Sequence, residues 1–206
     1  MKSPVICLFL ICSLSSCATL SKNECLNGDW LTIGYEDGAK GESRERIGAH
    51  QEACSEYGIA PDFNTYQKGY DNGLLLFCTP RNGFIKGKGG YQYSGICPEK
   101  LESGFLEGYD GGREIYQHTV KSNSLNNELQ SMDSRIADIE HEIRQNEHIL
   151  LDNATPKDQR RRVYRTIEEL KHDHYDLERR FQNVLEEKEE IDHRLDFLRR
   201  RYQAYQ

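Results

Sequence analysis

This sequence of 206 residues has few prolines, no long apolar run and no excess of positive charge. The apolar stretch Val5–Leu14 falls well short of the roughly 20 residues that a membrane-spanning helix needs, so a multi-span membrane protein is excluded. A net charge of −7 argues against a general nucleic-acid binder, because such proteins carry a basic field. Since the chain has 17 glycines and 12 tyrosines but only 5 prolines, its composition is not that of a disordered protein. We therefore expect an ordered, mostly helical protein.

Residues 1–16 have the pattern of a bacterial lipoprotein signal peptide. Lys2 supplies a positive charge and Val5–Leu14 a short apolar core, as in secretory signals. Leu14-Ser15-Ser16-Cys17 resembles the lipobox, which implies that the Cys17 thiol receives diacylglycerol. Several acyl chains at about 0.8 kcal/mol per buried CH₂ make a durable membrane anchor. The residue after the cysteine, Ala18, implies by the same resemblance an outer-membrane lipoprotein facing the periplasm; an ordinary signal peptide that contains a cysteine is the alternative.

Four of the seven cysteines remain once Cys7 and Cys12 are assigned to the signal and Cys17 to the lipid. An even number in an oxidising compartment predicts two disulfides, with three possible connectivities. No CxxC pair occurs, and His50 shortly before a cysteine is a lone match to zinc-ligand spacing, so we expect neither a metal nor a cofactor. The four cysteines are Cys25, Cys54, Cys78 and Cys97.

The composition changes near residue 118. Every glycine and the only tryptophan, Trp30, precede this point, whereas residues 119–206 contain no glycine, no cysteine and one proline. We therefore predict a Cys- and Gly-rich helical domain over residues 17–118, followed by a second region over residues 119–206.

A motif of the form Gly-Tyr-x-x-Gly occurs three times, at Gly34–Gly38, Gly69–Gly73 and Gly108–Gly112. Glycines four residues apart lie on one face of a helix and leave a flat surface that another helix can approach closely. Each interior glycine costs about 0.5–1 kcal/mol relative to alanine, so close packing must offset it. We predict that the motifs are helix-crossing points. The alternative is a ligand-binding cluster formed by the motif tyrosines and the acids beside them: Tyr35, Tyr70 and Tyr109 with Glu36, Asp71 and Asp110.

Capping signals predict four helices in the first region, near residues 24–40, 43–57, 62–77 and 98–117. A short turn joins the first two helices, which are then antiparallel, so Cys25 and Cys54 fall at the same end. Cys78 ends the third helix and Cys97 begins the fourth. We predict the pairs Cys25–Cys54 and Cys78–Cys97, each worth about 3 kcal/mol in the loop-entropy model.

The segment between Cys78 and Cys97 combines five glycines with Arg81, Lys86 and Lys88. Backbone N–H groups of such a segment can hold an anion, yet it matches neither the Walker A pattern nor GxGxxG. We predict instead a disulfide-closed loop with a short β-hairpin, and we regard it as a candidate contact surface.

Three longer stretches add to the lipobox: CLNGDWLTIGYEDGAKG from Cys25, GYDNGLLLFCTPRNGF from Gly69, and CPEKLESGFLEGYDGGREIY from Cys97. Together with His50 before Cys54-Ser55-Glu56-Tyr57-Gly58, they resemble a family of small proteobacterial lipoproteins, domain of unknown function 2799, over residues 14–118. The resemblance implies fold and cellular address. It implies no activity and no catalytic residues.

The second region has the apolar period of a coiled coil. Its apolar positions alternate steps of four and three residues, and this 3.5-residue period specifies a left-handed coiled coil. A short break at Asp152–Pro156 predicts an antiparallel hairpin, whose first helix continues from about Pro98 to Leu151. Asn146, His174 and Lys188 interrupt the apolar seam, and we expect them to set its register. The remaining seam positions are Leu125, Leu129, Met132, Ile136, Ile139, Ile143, Leu150, Val163, Ile167, Leu170, Leu177, Phe181, Val184, Ile191, Leu195, Leu198 and Tyr202.

Three functions fit these features within an all-α fold. The leading hypothesis is a lipid-anchored structural or interaction protein that presents the coiled coil to protein partners or to a second copy, without binding nucleic acid. A small-ligand or glycan binder with the motif tyrosines as stacking faces is the alternative. A cell-envelope hydrolase is the third, using His50 and the acids Glu36, Asp37, Asp71 and Asp110. No Ser-His-Asp arrangement can be placed, so we expect no catalytic residue and no enzyme.

Overall fold

The computed structural model describes residues 19–205, and this part of the chain is all-α, as predicted. The predicted signal peptide, lipobox and Cys17 lie outside the described residues. Within residues 19–205, no helix is both long and apolar enough to cross a membrane. The helices are α1 (Lys22–Asn27), α2 (Trp30–Lys40), α3 (Arg46–Ser55), α4 (Phe63–Phe77), α5 (Pro80–Lys88), α6 (Glu99–Leu151) and α7 (Lys157–Arg201), followed by a 3-10 turn over Gln203–Tyr205.

The chain forms two compact units. The first holds the chain up to Cys78 together with Gly95–Pro98, and the second holds Thr79–Ser94 and everything from Glu99 onward. The change of composition near residue 118 is not the boundary between these units, because α6 runs through it as one continuous helix.

The first predicted helix is two helices. Gly28 takes the left-handed conformation, with φ of +61°, and ends α1. Asp29 then accepts a hydrogen bond from the backbone N–H of Thr32 and so begins α2. A glycine in the left-handed conformation ends one helix, and an Asp cap directly after it begins the next. The apolar pattern continues across this break and by itself predicts one helix.

The predicted β-hairpin between Cys78 and Cys97 is wrong. Residues Pro80–Lys88 form helix α5, which begins with Thr79 accepting a hydrogen bond from the N–H of Asn82 and with proline in the first turn. Gly83 and Gly87 lie four residues apart on this helix and pack against α6. They are a fourth copy of the glycine motif, with phenylalanine in place of tyrosine.

In the first unit, α2 and α4 pack through their glycine motifs, as predicted. A Cβ atom added to Gly34 would lie less than 3.0 Å from the Tyr66 carbonyl oxygen, and one added to Gly69 would meet that of Leu31 in the same way. Each glycine thus faces the residue three positions before its partner motif. The two helices therefore run parallel, and their backbones are close enough for Cα–H···O contacts.

In the second unit, α5 and α6 repeat the same plan. A Cβ atom on Gly83 would overlap the carbonyl oxygen of Phe105, and one on Gly108 would overlap that of Pro80. The second glycine of each motif makes the corresponding contact one turn later, in both units. The chain thus contains two parallel helix pairs with the same internal packing.

Both predicted disulfides are present. Cys25 bonds to Cys54 and joins α1 to α3, while Cys78 bonds to Cys97 within the first unit. All four cysteines are buried. The pairing is the one that follows from placing Cys25 with Cys54 and Cys78 with Cys97 at shared helix ends.

The predicted coiled-coil hairpin is formed by α6 and α7, which pack along each other. Helix α6 has 53 residues and α7 has 45, so α7 is about 68 Å long at 1.5 Å per residue. Every predicted seam position is buried or half-buried, including Asn146, His174 and Lys188. Helix α7 begins directly after the predicted break, with Pro156 as its cap residue.

Candidate functional site

A buried polar cluster lies between α2, α3 and α4 in the first unit. Its centre is Asp37, whose Oδ2 atom accepts a hydrogen bond of 2.7 Å from His50 Nε2 and one of 2.8 Å from the Tyr66 hydroxyl. The other ring nitrogen of His50, Nδ1, lies 2.8 Å from Thr19 Oγ1. Arg46 Nε lies 3.3 Å from the second carboxylate oxygen of Asp37. The cluster connects three helices and the segment before α1.

The cluster members are almost fully removed from solvent. Asp37 is 5% exposed and His50 is 1% exposed, and an ionised carboxylate at such burial needs charged or hydrogen-bonding partners. Burial by itself raises the pKa of Asp37, but hydrogen bonds from His50 and Tyr66 outweigh it and hold this pKa below its usual value. Burial, and then the Asp37 carboxylate, raise the pKa of Tyr66.

Each contact has a local cause in the sequence. Asp37 is the third residue after Gly34, so it lies beside the glycine surface of α2. Tyr66 is three residues before Gly69, and its carbonyl oxygen faces Gly34. The glycine contacts bring α2 and α4 close enough for the Tyr66 hydroxyl to reach Asp37.

A cavity of about 300 Å³ borders the cluster. Asp37, His50, Arg46 and Thr19 all contribute to its wall. The order Thr19 hydroxyl, His50 imidazole, Asp37 carboxylate resembles the nucleophile, base and orienting acid of hydrolases. In this structure both ring nitrogens of His50 are engaged, and these two contacts fix the orientation of the ring. Among residues 19–205, no group of three His, Cys, Asp or Glu side chains is placed to hold a metal ion.

The structure separates the three tyrosines that the ligand hypothesis brings together. Tyr70 is 1% exposed and Tyr109 is 4% exposed, so neither presents a ring face to a sugar. The Tyr70 hydroxyl donates to the carbonyl of Glu42, and the Tyr109 hydroxyl donates to that of Tyr91. Only Tyr35, at 43% exposed, remains on the surface among the three. The stacking role of this trio is therefore wrong.

The three basic residues of the candidate contact surface between Cys78 and Cys97 lie on helix α5. Arg81 and Lys88 are exposed and Lys86 is half-buried. The ammonium group of Lys86 lies 5.2 Å from the centre of the Tyr91 ring, a cation–π arrangement. Gly83 and Gly87 are helical and face α6, so this segment is not the Gly-rich loop on which the alternative of an anion cradle depended.

The acids of the hydrolase hypothesis are not assembled into one site. Glu36 pairs with Lys40 on the surface, and Asp71 pairs with Arg44. Asp110 is also exposed. Only Asp37 meets His50. No sequence motif marks Arg46 and Tyr66 as partners of Asp37. The only local signal is that Asp37 and Tyr66 each stand three residues from a motif glycine.

The coiled-coil arm, residues 119–201 of α6 and α7 with their connecting turn, is the second candidate site. Its seam contains a polar contact in which Ser122 donates to Asp192 Oδ1 at 2.6 Å while Lys188 Nζ lies 2.6 Å from Oδ2. His174 lies between Glu140 and Glu178, at 3.5 Å and 3.3 Å. The Ser122–Asp192 and Glu140–His174 contacts join α6 to α7, whereas Lys188 contacts Asp192 of its own helix and Asn146 donates to the carbonyl of Glu142 on its own helix.

The outer surface of the arm carries aromatic residues that the hairpin does not use. Tyr164 is 55% exposed and Tyr175 is 64% exposed. They are eleven residues apart on α7, which is close to three helical turns, so both lie on one side of the helix. Exposed tyrosines on a charged helix are typical of contact surfaces for other proteins.

Comparison with known proteins gives one match. Neither the curated proteins nor the solved structures contain a significant match to this chain. Residues 29–114 match the profile of the family described as "Protein of unknown function (DUF2799)", and these residues include both glycine-packed helix pairs. The resemblance drawn from the sequence motifs is confirmed over that range.

Proposed function

We propose that this protein is a lipid-anchored structural protein of the cell envelope that presents its coiled-coil arm to protein partners in the periplasm. The observation that carries the proposal is the arm itself, a hairpin of two long helices whose apolar seam is buried between them while Tyr164 and Tyr175 face outward. A long hairpin offers reach and contact surface. The proposal assigns no catalytic activity and no nucleic-acid binding to the chain.

The cellular address rests on two features that agree. The lipobox resemblance at Leu14–Cys17 implies lipid attachment, and two buried disulfides are typical of proteins that fold outside the reducing cytosol. An outer-membrane lipoprotein facing the periplasm meets both conditions. Metabolic labelling with radioactive palmitate tests the anchor: we expect label on the full chain and none on Cys17→Ser. Label that persists in Cys17→Ser contradicts the lipobox assignment.

The arm is tested best by shortening it in register. Truncation after residue 118 would remove Leu195 and Leu198, which cover Phe84 and Ile115 in the second unit. Ser122 contacts Asp192 and Glu140 contacts His174, which gives matched positions on the two helices. Deleting residues 130–143 and 171–184 therefore removes two heptads from each helix, shortens the arm by about 21 Å and retains both its tip and its base.

Chemical crosslinking in cells, followed by purification, compares this short-arm variant with the full chain. We expect a partner that the full chain captures to be lost from the short-arm variant and from the double variant Tyr164→Ser, Tyr175→Ser. Tyr116→Ser is the matched control, because Tyr116 is 41% exposed on α6 but lies outside the arm. Equal capture by all four proteins contradicts the arm as the contact surface.

A further inference from the structure

The two glycine-packed helix pairs have counterpart residues. Because Gly34 and Gly69 pack as Gly83 and Gly108 do, each position of α2 has an equivalent on α5 and each position of α4 has one on α6. Counting from these glycines, Tyr35 corresponds to Phe84, Leu76 to Ile115, Asn72 to Gly111 and Leu31 to Pro80.

In the second unit, the face of the α5–α6 pair that carries Phe84 and Ile115 is covered. Phe84 is 1% exposed and Ile115 is 2% exposed, and both pack against Leu195 and Leu198 near the end of α7. The Tyr202 ring lies over Gly111, where an added Cβ atom would overlap it. The chain's own amphipathic helix therefore closes this face.

In the first unit, the equivalent face is open. Leu31 is 46% exposed, Tyr35 is 43% exposed and Leu76 is 59% exposed. The opposite face of the same pair, which carries Tyr66 and Tyr70, is fully buried. The α2–α4 pair thus has one buried apolar face and one exposed apolar face. In the α5–α6 pair, the face equivalent to the exposed one carries Phe84 and Ile115 and is covered by α7.

We propose that the outer face of the first unit, defined by Leu31, Tyr35 and Leu76, binds an amphipathic helix of a partner protein. The model for the contact is α7, whose Leu195 and Leu198 present apolar side chains at i and i+3 to the equivalent face. A helix with that spacing buries Tyr35 and Leu76 as α7 buries their counterparts Phe84 and Ile115. Removing this apolar surface from water favours the association.

The occupant is not the α7 end of a second copy. Where the second unit has Gly111 beneath the Tyr202 ring, the first unit has Asn72, whose side chain would overlap a ring placed as that of Tyr202 is. The partner helix therefore carries a small side chain one turn beyond its second apolar residue, in place of Tyr202. The rim adds little net charge, because Glu36 and Lys40 on α2 pair with each other. This surface belongs to the first unit and is independent of the arm.

Site-specific photocrosslinking in the native host tests the proposal on the full chain. Tyr35 is replaced by photoreactive p-benzoylphenylalanine, and the crosslinked peptide is identified by mass spectrometry. We expect a discrete adduct with a segment of another protein that has apolar residues at i and i+3 and a small residue one turn later. Adding Leu76→Glu to the same chain reduces the adduct by about tenfold or more, since a buried charge costs at least 1.4 kcal/mol.

The same photoreactive residue at Tyr57, 37% exposed in the first unit but outside the outer face, is the matched control and yields no such adduct. Circular dichroism checks that Leu76→Glu stays folded, as its exposure predicts. The short-arm variant is expected to keep the Tyr35 adduct. Loss of partner capture by the arm and loss of the Tyr35 adduct are therefore separate results, and each tests only one of the two proposals. No adduct, an adduct with a second copy, an adduct with lipid, or an adduct that Leu76→Glu leaves unchanged each overturns the proposal.

Discussion

Gly34 of α2 lies directly against the carbonyl oxygen of Tyr66 on α4, with no room for a side chain between the two backbones. The same contact recurs between Gly83 and Phe105 in the second unit. These contacts make the glycine motif a packing device, and they position Tyr66 so that its hydroxyl reaches Asp37.

Gly34→Ala is expected to destabilise the first unit by about 1–3 kcal/mol, because the new methyl group would overlap the Tyr66 carbonyl oxygen and force the helices apart. Gly48→Ala is the matched control: Gly48 lies in α3 with open space around it, so alanine is expected to stabilise by about 0.5–1 kcal/mol. Urea unfolding followed by the fluorescence of Trp30, the only tryptophan, measures both. Equal behaviour of the two variants contradicts the packing role.

The stability of the first unit is expected to fall in acid because of Asp37. Hydrogen bonds from His50 and Tyr66 hold the folded-state pKa of Asp37 below its usual value near 3.8. The contribution of this carboxylate is therefore complete above about pH 4 and is lost as the pH falls through the lowered folded-state pKa. Free energies of unfolding between pH 7 and pH 2 measure the loss, and Asp37→Asn is expected to flatten that part of the curve. An unchanged acid slope in Asp37→Asn would refute this assignment.

At high pH the same cluster is expected to lose stability through Tyr66. Burial and the Asp37 carboxylate raise the pKa of the Tyr66 hydroxyl in the folded state. The contribution is complete below the ordinary tyrosine pKa of about 10 and decreases above it, because the unfolded chain ionises first. Tyr66→Phe is expected to reduce this alkaline loss, leaving the part that arises from buried Tyr70, whereas Tyr35→Phe, at an exposed position, leaves it unchanged. Unfolding measurements between pH 8 and pH 11 separate the two variants.

Removing the Cys25–Cys54 disulfide is expected to cost the first unit about 3 kcal/mol, since the two residues are 29 positions apart and the bond restricts the unfolded chain. The double variant Cys25→Ser, Cys54→Ser avoids an unpaired thiol. Trp30 fluorescence in urea again reports the effect. An unchanged unfolding midpoint would show that the contacts of α1 and α3 suffice without the bond.

His174→Leu is expected to stabilise the arm by about 1–2 kcal/mol. His174 occupies an apolar seam position, and its buried Nε2 atom makes no hydrogen bond. Leucine removes that cost and adds apolar burial. Exposed Tyr175→Leu, one position along the same helix, is the control and is expected to change little. Hydrogen exchange of the arm measures both, and faster exchange in His174→Leu would mean that its contacts with Glu140 and Glu178 outweigh the desolvation cost.

The features that the sequence predicts correctly all depend on residues close together in the chain. The 3.5-residue period from Leu125 onward defines the seam without reference to any other part of the protein. The position of each cysteine relative to a helix end was sufficient to pair Cys25 with Cys54. The misassignment of residues 80–88 arose because glycine favours loops in isolation, and only the contact of Gly83 with α6 makes a helix the better conformation there.

By itself, the sequence determined the all-α class, the disulfide pairs, the glycine packing motif and the coiled-coil hairpin, because each is encoded by local spacing. Only the tertiary structure decided which equivalent residues are buried. Tyr35 and Tyr70 each follow the first glycine of a Gly-Tyr-x-x-Gly motif, yet Tyr35 is exposed and Tyr70 is buried. It likewise brought His50 onto Asp37 and placed the end of α7 over Phe84. These outcomes depend on which distant segment packs against a given face, and burial free energy is gained only where such a segment arrives.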